Sequence, residues 1–166
     1  MSDLFVKKAA DISPCGLYRY FLSRYWGPGE MLPFVMLNPS TADAEIDDPT
    51  IRRCMSFARR ERFGGIAVVN LYGLRASDPK QLRDVGDPFG PNNECALRQL
   101  ADVAQELALP VVCAWGAGGA IHDACTLTVE MFQQNGARLV CLGKTKDGHP
   151  RHPLYVRADQ QLEPFP

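Results

Sequence analysis

At 166 residues, with 46% apolar and 22% charged side chains, the chain can bury one core unaided and is neither disordered nor fibrous in balance. Its formal net charge of -1 excludes steering of the whole molecule onto a polyanion, so nucleic-acid contact would need a local basic patch or single nucleotides. Cys15, Cys54, Cys95, Cys113, Cys125 and Cys141 form no C-x-x-C pair, and Cys113 and Cys141 sit in apolar runs. Reduced thiols in a cytoplasm are expected, not disulfides or a zinc site. The start shows no apolar leader and no stretch is long enough to cross a membrane, so a cytoplasmic protein without a membrane partner is expected.

Residues 1–16 read as a loose lead-in, and 16–24 as an edge strand mixing aromatics and arginine. A turn at Gly27, Pro28 and Gly29 precedes a buried strand at 32–37, which stops at Asn38, Pro39 and Ser40. Asp48 as N-cap and Pro49 in the first turn start a helix whose buried face carries Ile51, Met55 and Ala58. Gly64 and Gly65 end that region. A second core strand at 66–71 exits toward Arg75 and Asp78. After a glycine- and proline-rich loop, Asn92 or Asn93 caps a helix with Leu97, Leu100, Ala101, Ala104 and Leu107 as its inner face. A third strand at 110–115 closes on the glycines of 116–119. A helix at 121–135 ends at Gly136, a fitting C-cap. The last core strand, 138–142, leads into a basic, proline-stiffened loop at 143–155, and 156–166 reads as a polar tail.

Four buried strands separated by helices imply parallel pairing, right-handed crossovers and helices on both faces. The expected fold is a single α/β domain over 1–166: a three-layer α/β/α sandwich with a mostly parallel central sheet. In such sheets ligands bind outside the carboxyl ends of the strands, where this sequence gathers its polar groups.

Asn38 is either a turn asparagine bonding its own backbone or an amide that positions a water or a ligand. Asp43 is either a solvated loop carboxylate or a general base, whereas Asp48 reads as a cap. Pro39, Ser40, Thr41, Asn70 and Arg75 belong to the same strand exits. Trp115 is either core or a stacking surface, and Gly116 permits close backbone approach. The glycines ahead of a helix also suit an anion on its amides. His149 and His152, held between Pro150 and Pro153 with Lys144, Lys146 and Arg151 nearby, suit an anionic ligand or a leaving anion. Two histidines three apart with distant aspartates also permit a metal site, but the spacing is not diagnostic, and neither metal nor cofactor is expected. His122 reads as a helix-surface group. No G-x-S-x-G elbow is present, which argues against covalent acyl chemistry. The run Arg52, Arg53, Arg59, Arg60 and Arg62 is either a solvated helix face or a basic binding surface.

In order, the segments MLNPSTADA, DDPTIRRC, VVNLYGLRASDP, GPNN, AWGA and LGKTKDGHPRHPLY resemble the bacterial and phage family known as domain of unknown function 1643, from about Tyr18 to Tyr155. That resemblance implies no particular activity. A more distant one is to uracil-DNA glycosylases. Val35 to Pro39 is similar to their first motif, Cys113 to Ala117 to their middle strand exit, and His149 to Leu154 to their closing loop, which carries one residue more here. It implies a glycosylase-like three-layer fold in which Asn38 aligns a water, His149 or His152 steadies the departing base, and Asn70 or Trp115 lines the pocket. Such enzymes take the base out of the stack before acting. Three readings follow. One is a hydrolase that recognises a nucleobase, nucleotide or DNA and cleaves an N-glycosidic bond. The second is a non-catalytic nucleotide- or nucleic-acid-binding module, and the third another hydrolase using Asp43 and the last-loop histidines. A shared fold does not by itself choose among them.

Overall fold

The computed structural model describes residues 5–118 and 121–166; Gly119, and the first four residues of the expected lead-in, lie outside the described residues. Seven strands, β1 (Lys7–Ile12), β2 (Arg19–Tyr25), β3 (Met31–Met36), β4 (Gly65–Asn70), β5 (Pro110–Cys113), β6 (Arg138–Cys141) and β7 (Glu163–Pro164), form one sheet in the order β1-β2-β4-β3-β5-β6-β7. Helices α1 (Pro49–Arg60), α2 (Asn93–Glu106) and α3 (Ala124–Gln134) connect β3 to β4, β4 to β5 and β5 to β6.

The four strands joined by helices pair in parallel. β1, β2 and β7 add antiparallel flanks, so the sheet is mixed and not mostly parallel. Residues 13–18, between β1 and β2, are too few for the long crossover that parallel neighbours require. β3 lies between β4 and β5, so the chain leaves it in opposite lateral directions. Right-handed crossovers then place α1 on one face and α2 and α3 on the other. The apolar clusters divide accordingly. Ile66 and Val68 of β4 pack with Ile51, Met55 and Ala58 of α1, while Ala67 and Val69 pack with Leu97, Leu100 and Ala104 of α2. Because β4 is buried on both faces, its apolar run is unbroken (GIAVVN).

The α1 start follows the sequence logic: Asp48 is extended and its carboxylate accepts from the Ile51 N–H at 2.8 Å, with Pro49 first in the helix. The asparagine pair before α2 behaves differently. Asn92 makes no side-chain cap, and the buried Asn93 donates to the carbonyls of Asn70 and Leu71 at 2.9 and 3.0 Å, pinning the exit of β4.

Three expectations are corrected at the sheet flanks. Residues 7–12 are the edge strand β1 and not a lead-in, which makes β2 interior. The last residues are not a free polar tail. They pair as β7, and Phe165 packs edge-on against Trp115 with ring centroids 5.6 Å apart. The α1 arginines hold the segment before β7: Arg53 donates to the carbonyls of Pro153 and Val156 at 3.2 and 2.5 Å, and Arg60 to that of Ala158 at 2.8 Å. Arg52 donates to the Asp47 carbonyl and Arg59 stacks on Trp26, so four of the five arginines in the run are engaged within the chain.

The β1–β2 register shifts between Asp11 and Ile12, which face Phe21 and Arg19 respectively, leaving Tyr20 as the extra residue of a bulge. A regular strand would point Arg19 to the side of Phe21, the α2 face. The bulge turns it instead to the α1 side with Leu22 and Arg24, where its guanidinium donates to the Ala42 carbonyl at 2.8 Å.

Arg24 is fully buried, and all its donor nitrogens are used. Nε meets the Asp47 carboxylate at 2.6 Å, and the two terminal nitrogens reach the carbonyls of Ser23, Ala9, Asp43 and Ile46. Burial pushes the Asp47 pKa up, but hydrogen bonds from Arg24 and Lys8 outweigh it and hold the carboxyl below its ordinary 3.8. Asp47→Ala leaves Arg24 buried without its partner and is expected to cost about 3 kcal/mol of stability in urea unfolding at pH 7. A lowered folded pKa gives stability that is present above the ordinary value and lost as pH falls through the folded one. The wild-type unfolding midpoint should therefore fall below about pH 4 more steeply than that of the variant.

Candidate functional site

β3, β4, β5 and β6 all point their carboxyl ends to one edge of the sheet. There, beside the strand where the connections reverse direction, lies a cavity of about 590 Å³. That volume suits a small-molecule ligand. Asn38 and Ser40 line it from the β3 exit, Asn70 from the end of β4, Trp115 and Gly116 from the β5 exit, and Arg151 and His152 from the loop after β6. Arg19 and Asp48 add to its polar lining from β2 and the start of α1.

The strand exits are tied to one another by backbone hydrogen bonds. The N–H groups of Leu71 and Tyr72 donate to the carbonyls of Met36 and Leu37, and the Ala76 N–H donates to Pro39. Asn38 adds its side chain to this seam, with Nδ2 donating to the Ala76 carbonyl at 2.8 Å and to Pro39 at 3.0 Å. The amide nitrogen of Asn38 thus braces the loops, and among the described residues no hydrogen bond engages its Oδ1. Across the cavity, the Gly116 N–H donates to Pro150 at 2.9 Å and joins the β5 exit to the last loop. Gly116 has φ 72°, a left-handed backbone in which its lack of a Cβ matters.

The two histidines part company. Residues 144–150 close on themselves: the Thr145 N–H donates to the His149 carbonyl at 2.8 Å, and the His149 N–H to Thr145 Oγ1 at 3.1 Å. His149 is outside the cavity lining, whereas His152 is in it. The Nδ1 of His152 accepts from the Leu154 N–H at 3.2 Å, which leaves Nε2 to carry the ring proton. Burial lowers its pKa below the ordinary 6.5, with the Asp48 carboxylate pulling the other way, so the ring is a neutral donor at neutral pH.

The carboxylates exchange the parts expected of them. Asp43 is not among the cavity residues. Its Oδ1 accepts from the N–H groups of Ile46 and Glu45, both at 2.8 Å, and these bonds hold its pKa below the ordinary value. Asp48, read only as a cap, does cap α1 and also lines the cavity. Pro39 and Lys144 are likewise outside the lining, and Thr41 and Arg75 border a shallower hollow that shares Ser40, Ala76 and Ser77 with it. Lys144 offers only its carbonyl, to Arg151 Nε. Trp115 is 3% exposed and packed with the α2-side core, so it is chiefly core while one part meets the cavity. α3 begins at Ala124, after a short turn at Ile121–Asp123, so the glycines of the β5 exit do not run straight into its amides. Among the described residues no group of three or more His, Cys, Asp or Glu side chains is placed to hold a metal ion, and no helix is long and apolar enough to cross a membrane.

Arg19 escaped the sequence reading. It is 3% exposed, and burial pulls its pKa down to about 10, with the Asp48 carboxylate opposing, so it stays cationic at neutral pH. Its neighbour Asn70 is 1% exposed and accepts from an Arg19 terminal nitrogen at 3.5 Å. Its only signal in the sequence is an arginine at the start of an otherwise apolar and aromatic strand.

Imidazole ¹H–¹⁵N spectra should show His152 as the Nε2–H tautomer, titrating below 6.5. A lowered histidine pKa means that the unfolded chain takes up the proton first. Stability is then complete above about pH 6.5 and declines as pH falls from there to the folded pKa, a decline that His152→Asn should remove.

A family model described as a protein of unknown function (DUF1643) matches residues 19–154. No curated protein and no solved structure matches the chain. The match spans every strand exit that builds the cavity, and the chain belongs to the DUF1643 family.

Proposed function

We propose that the cavity binds a nucleobase-bearing ligand and that the chain is a hydrolase cleaving its N-glycosidic bond. The observation that carries this reading is the convergence of Asn38, Asn70 and His152, from three separate strand exits, on one cavity at the carboxyl edge of the sheet. Order and placement of the three motifs, which resemble those of uracil-DNA glycosylases, support the choice of reaction, and the finer likeness of fold belongs to the same proposal.

In this reaction the oxygen of a water bonds to the anomeric carbon as the bond to the base nitrogen breaks, the electron pair leaving with the base. Asn38 Oδ1 accepts a hydrogen bond from that water. The neutral His152 donates from Nε2 to the departing base, whose negative charge a fixed donor stabilises more in the transition state than in the ground state. The water's second proton passes to solvent. Asn70 and the exposed face of Trp115 bound the base.

One observation favours a second reading, a binding module without turnover. Both Asp48 oxygens accept backbone N–H groups, from Ile51 and Ala42, and Asp43 lies elsewhere, so the cavity has no carboxylate spare to act as general base.

Thermal unfolding with free bases, nucleosides, nucleotides and short oligonucleotides tests the site. A ligand at a hundredfold excess over its Kd adds about 2.7 kcal/mol of apparent stability. A shift with one nucleobase class that Asn38→Ala and His152→Ala both abolish supports the site, and release of free base from that ligand supports the hydrolase. Binding without release favours the module, and no shift with any compound defeats both readings.

A further inference from the structure

β2 carries two buried guanidinium groups a few residues apart, and the chain treats them differently. Arg24 has a carboxylate at 2.6 Å and carbonyl acceptors for its terminal nitrogens. Arg19, equally inside the protein, has the Ala42 carbonyl at 2.8 Å, a long contact to Asn70 Oδ1, and among the described residues no carboxylate within ion-pairing distance. Its Nε and the Nδ2 of Asn70 are buried N–H donors that no described protein group accepts from. Unmet donors of this kind are costly to bury, and an unpaired buried cation more so. Both residues line the cavity.

The geometry points to an oxyanion subsite at the cavity floor, in which Arg19 and Asn70 take the terminal phosphate or carboxylate of a small ligand. The inference rests on the reading of this cavity as a ligand site and narrows it to anionic mononucleotide-sized molecules. The two side chains touch through an Arg19 terminal nitrogen and Asn70 Oδ1 at 3.5 Å, and an unmet guanidinium N–H and amide N–H on residues so close suit two oxygens of one anion. The floor is almost wholly enclosed, with Arg19 and Asn70 at 3% and 1% exposure, so only the end of a ligand reaches it. An internal phosphodiester of a nucleic acid, flanked by sugar on both sides, does not. Other charges facing the cavity are Asp48, whose oxygens are held by the Ile51 and Ala42 N–H groups, and Arg151, whose Nε is engaged by Lys144. Neither supplies a counter-ion in contact with Arg19.

The test reads the arginine Nε–H resonances of the unmodified protein by NMR while inorganic phosphate, benzoate, uridine, uridine 5′-monophosphate, adenosine, adenosine 5′-monophosphate and an oligonucleotide blocked at both ends are added separately. Arg24, whose Nε is already bonded to Asp47, is the internal control. The expected result is a shift of the Arg19 Nε–H with phosphate or benzoate and with the monophosphates, and none at Arg24. Phosphate against benzoate tells which oxyanion is taken. At least one monophosphate should bind tenfold or more tightly than its nucleoside, and Arg19→Gln should erase that advantage. If Arg19→Gln does not fold, the resonance shifts decide alone. Equal affinity for nucleoside and monophosphate with an unmoved Arg19 overturns the oxyanion subsite but leaves the nucleobase site standing. A shift driven by the blocked oligonucleotide overturns the restriction to terminal anions. No binding by any probe removes subsite and ligand site together.

Discussion

The site depends on how β2 buries two guanidinium groups against the loop between β3 and α1. That loop has little apolar substance of its own: Ala42 is buried, but Thr41, Ala44, Glu45 and Ile46 are exposed. What holds it are its carbonyls, turned inward to arginine. Arg19 takes Ala42, and Arg24 takes Asp43 and Ile46 together with the Asp47 carboxylate. Consecutive acids then face opposite ways, Asp47 toward Arg24 and Asp48 toward the first turn of α1. Desolvation of two cations is offset at one position by a complete set of acceptors and at the other only in part. The loop that leads into Asp48 and α1 is held by that arrangement.

The parallel core was legible because its signals are local and strong. β3 to β6 are short apolar runs bounded by polar or glycine residues, and doubly buried strands have that composition. Asp48 and Pro49 announce α1, since cap and first-turn residues act within a few positions. The flanks were not legible. β1 reads KKAADI, only half-buried on its better face, and β7 has two residues. Such strands exist because a neighbour offers an open edge, not because their own residues demand it. The Tyr20 bulge is the costliest omission. It inverts the side on which Arg19 emerges, and no period-two reading of 19–25 reveals it.

Residue types at the strand ends point to the edge of the sheet where the cavity lies, without ranking the residues there. His149 and His152 share a loop, neighbouring prolines and nearby cations, so the sequence leaves them equivalent. Backbone bonding separates them. The hairpin-like closure from Lys144 to Pro150 consumes His149, and the tie from Gly116 to Pro150 swings the next residues across the cavity mouth. Asp43 and Asp48 are separated by a related distinction. A side chain's cap or turn duty does not decide whether it also faces a cavity. Asp43 spends Oδ1 on its own turn away from the cavity, whereas Asp48 accepts backbone N–H groups while lining it.

The electrostatics of the cavity follow from burial more than from composition. The chain is nearly neutral, yet the buried end of the cavity is a cation, and the imidazole near its mouth is kept uncharged by desolvation. A permanent charge placed deep and a neutral donor placed shallow divide the work of recognition. The first attracts a fixed anion over several ångströms in a low-dielectric setting, while the second responds only to charge that develops within hydrogen-bond reach. Asp48 moderates both, opposing the fall in pKa at Arg19 and at His152 without forming an ion pair with Arg19. On the proposed reaction, the depressed pKa keeps His152 a neutral donor at neutral pH, so the charge it meets is the one that develops on the departing base.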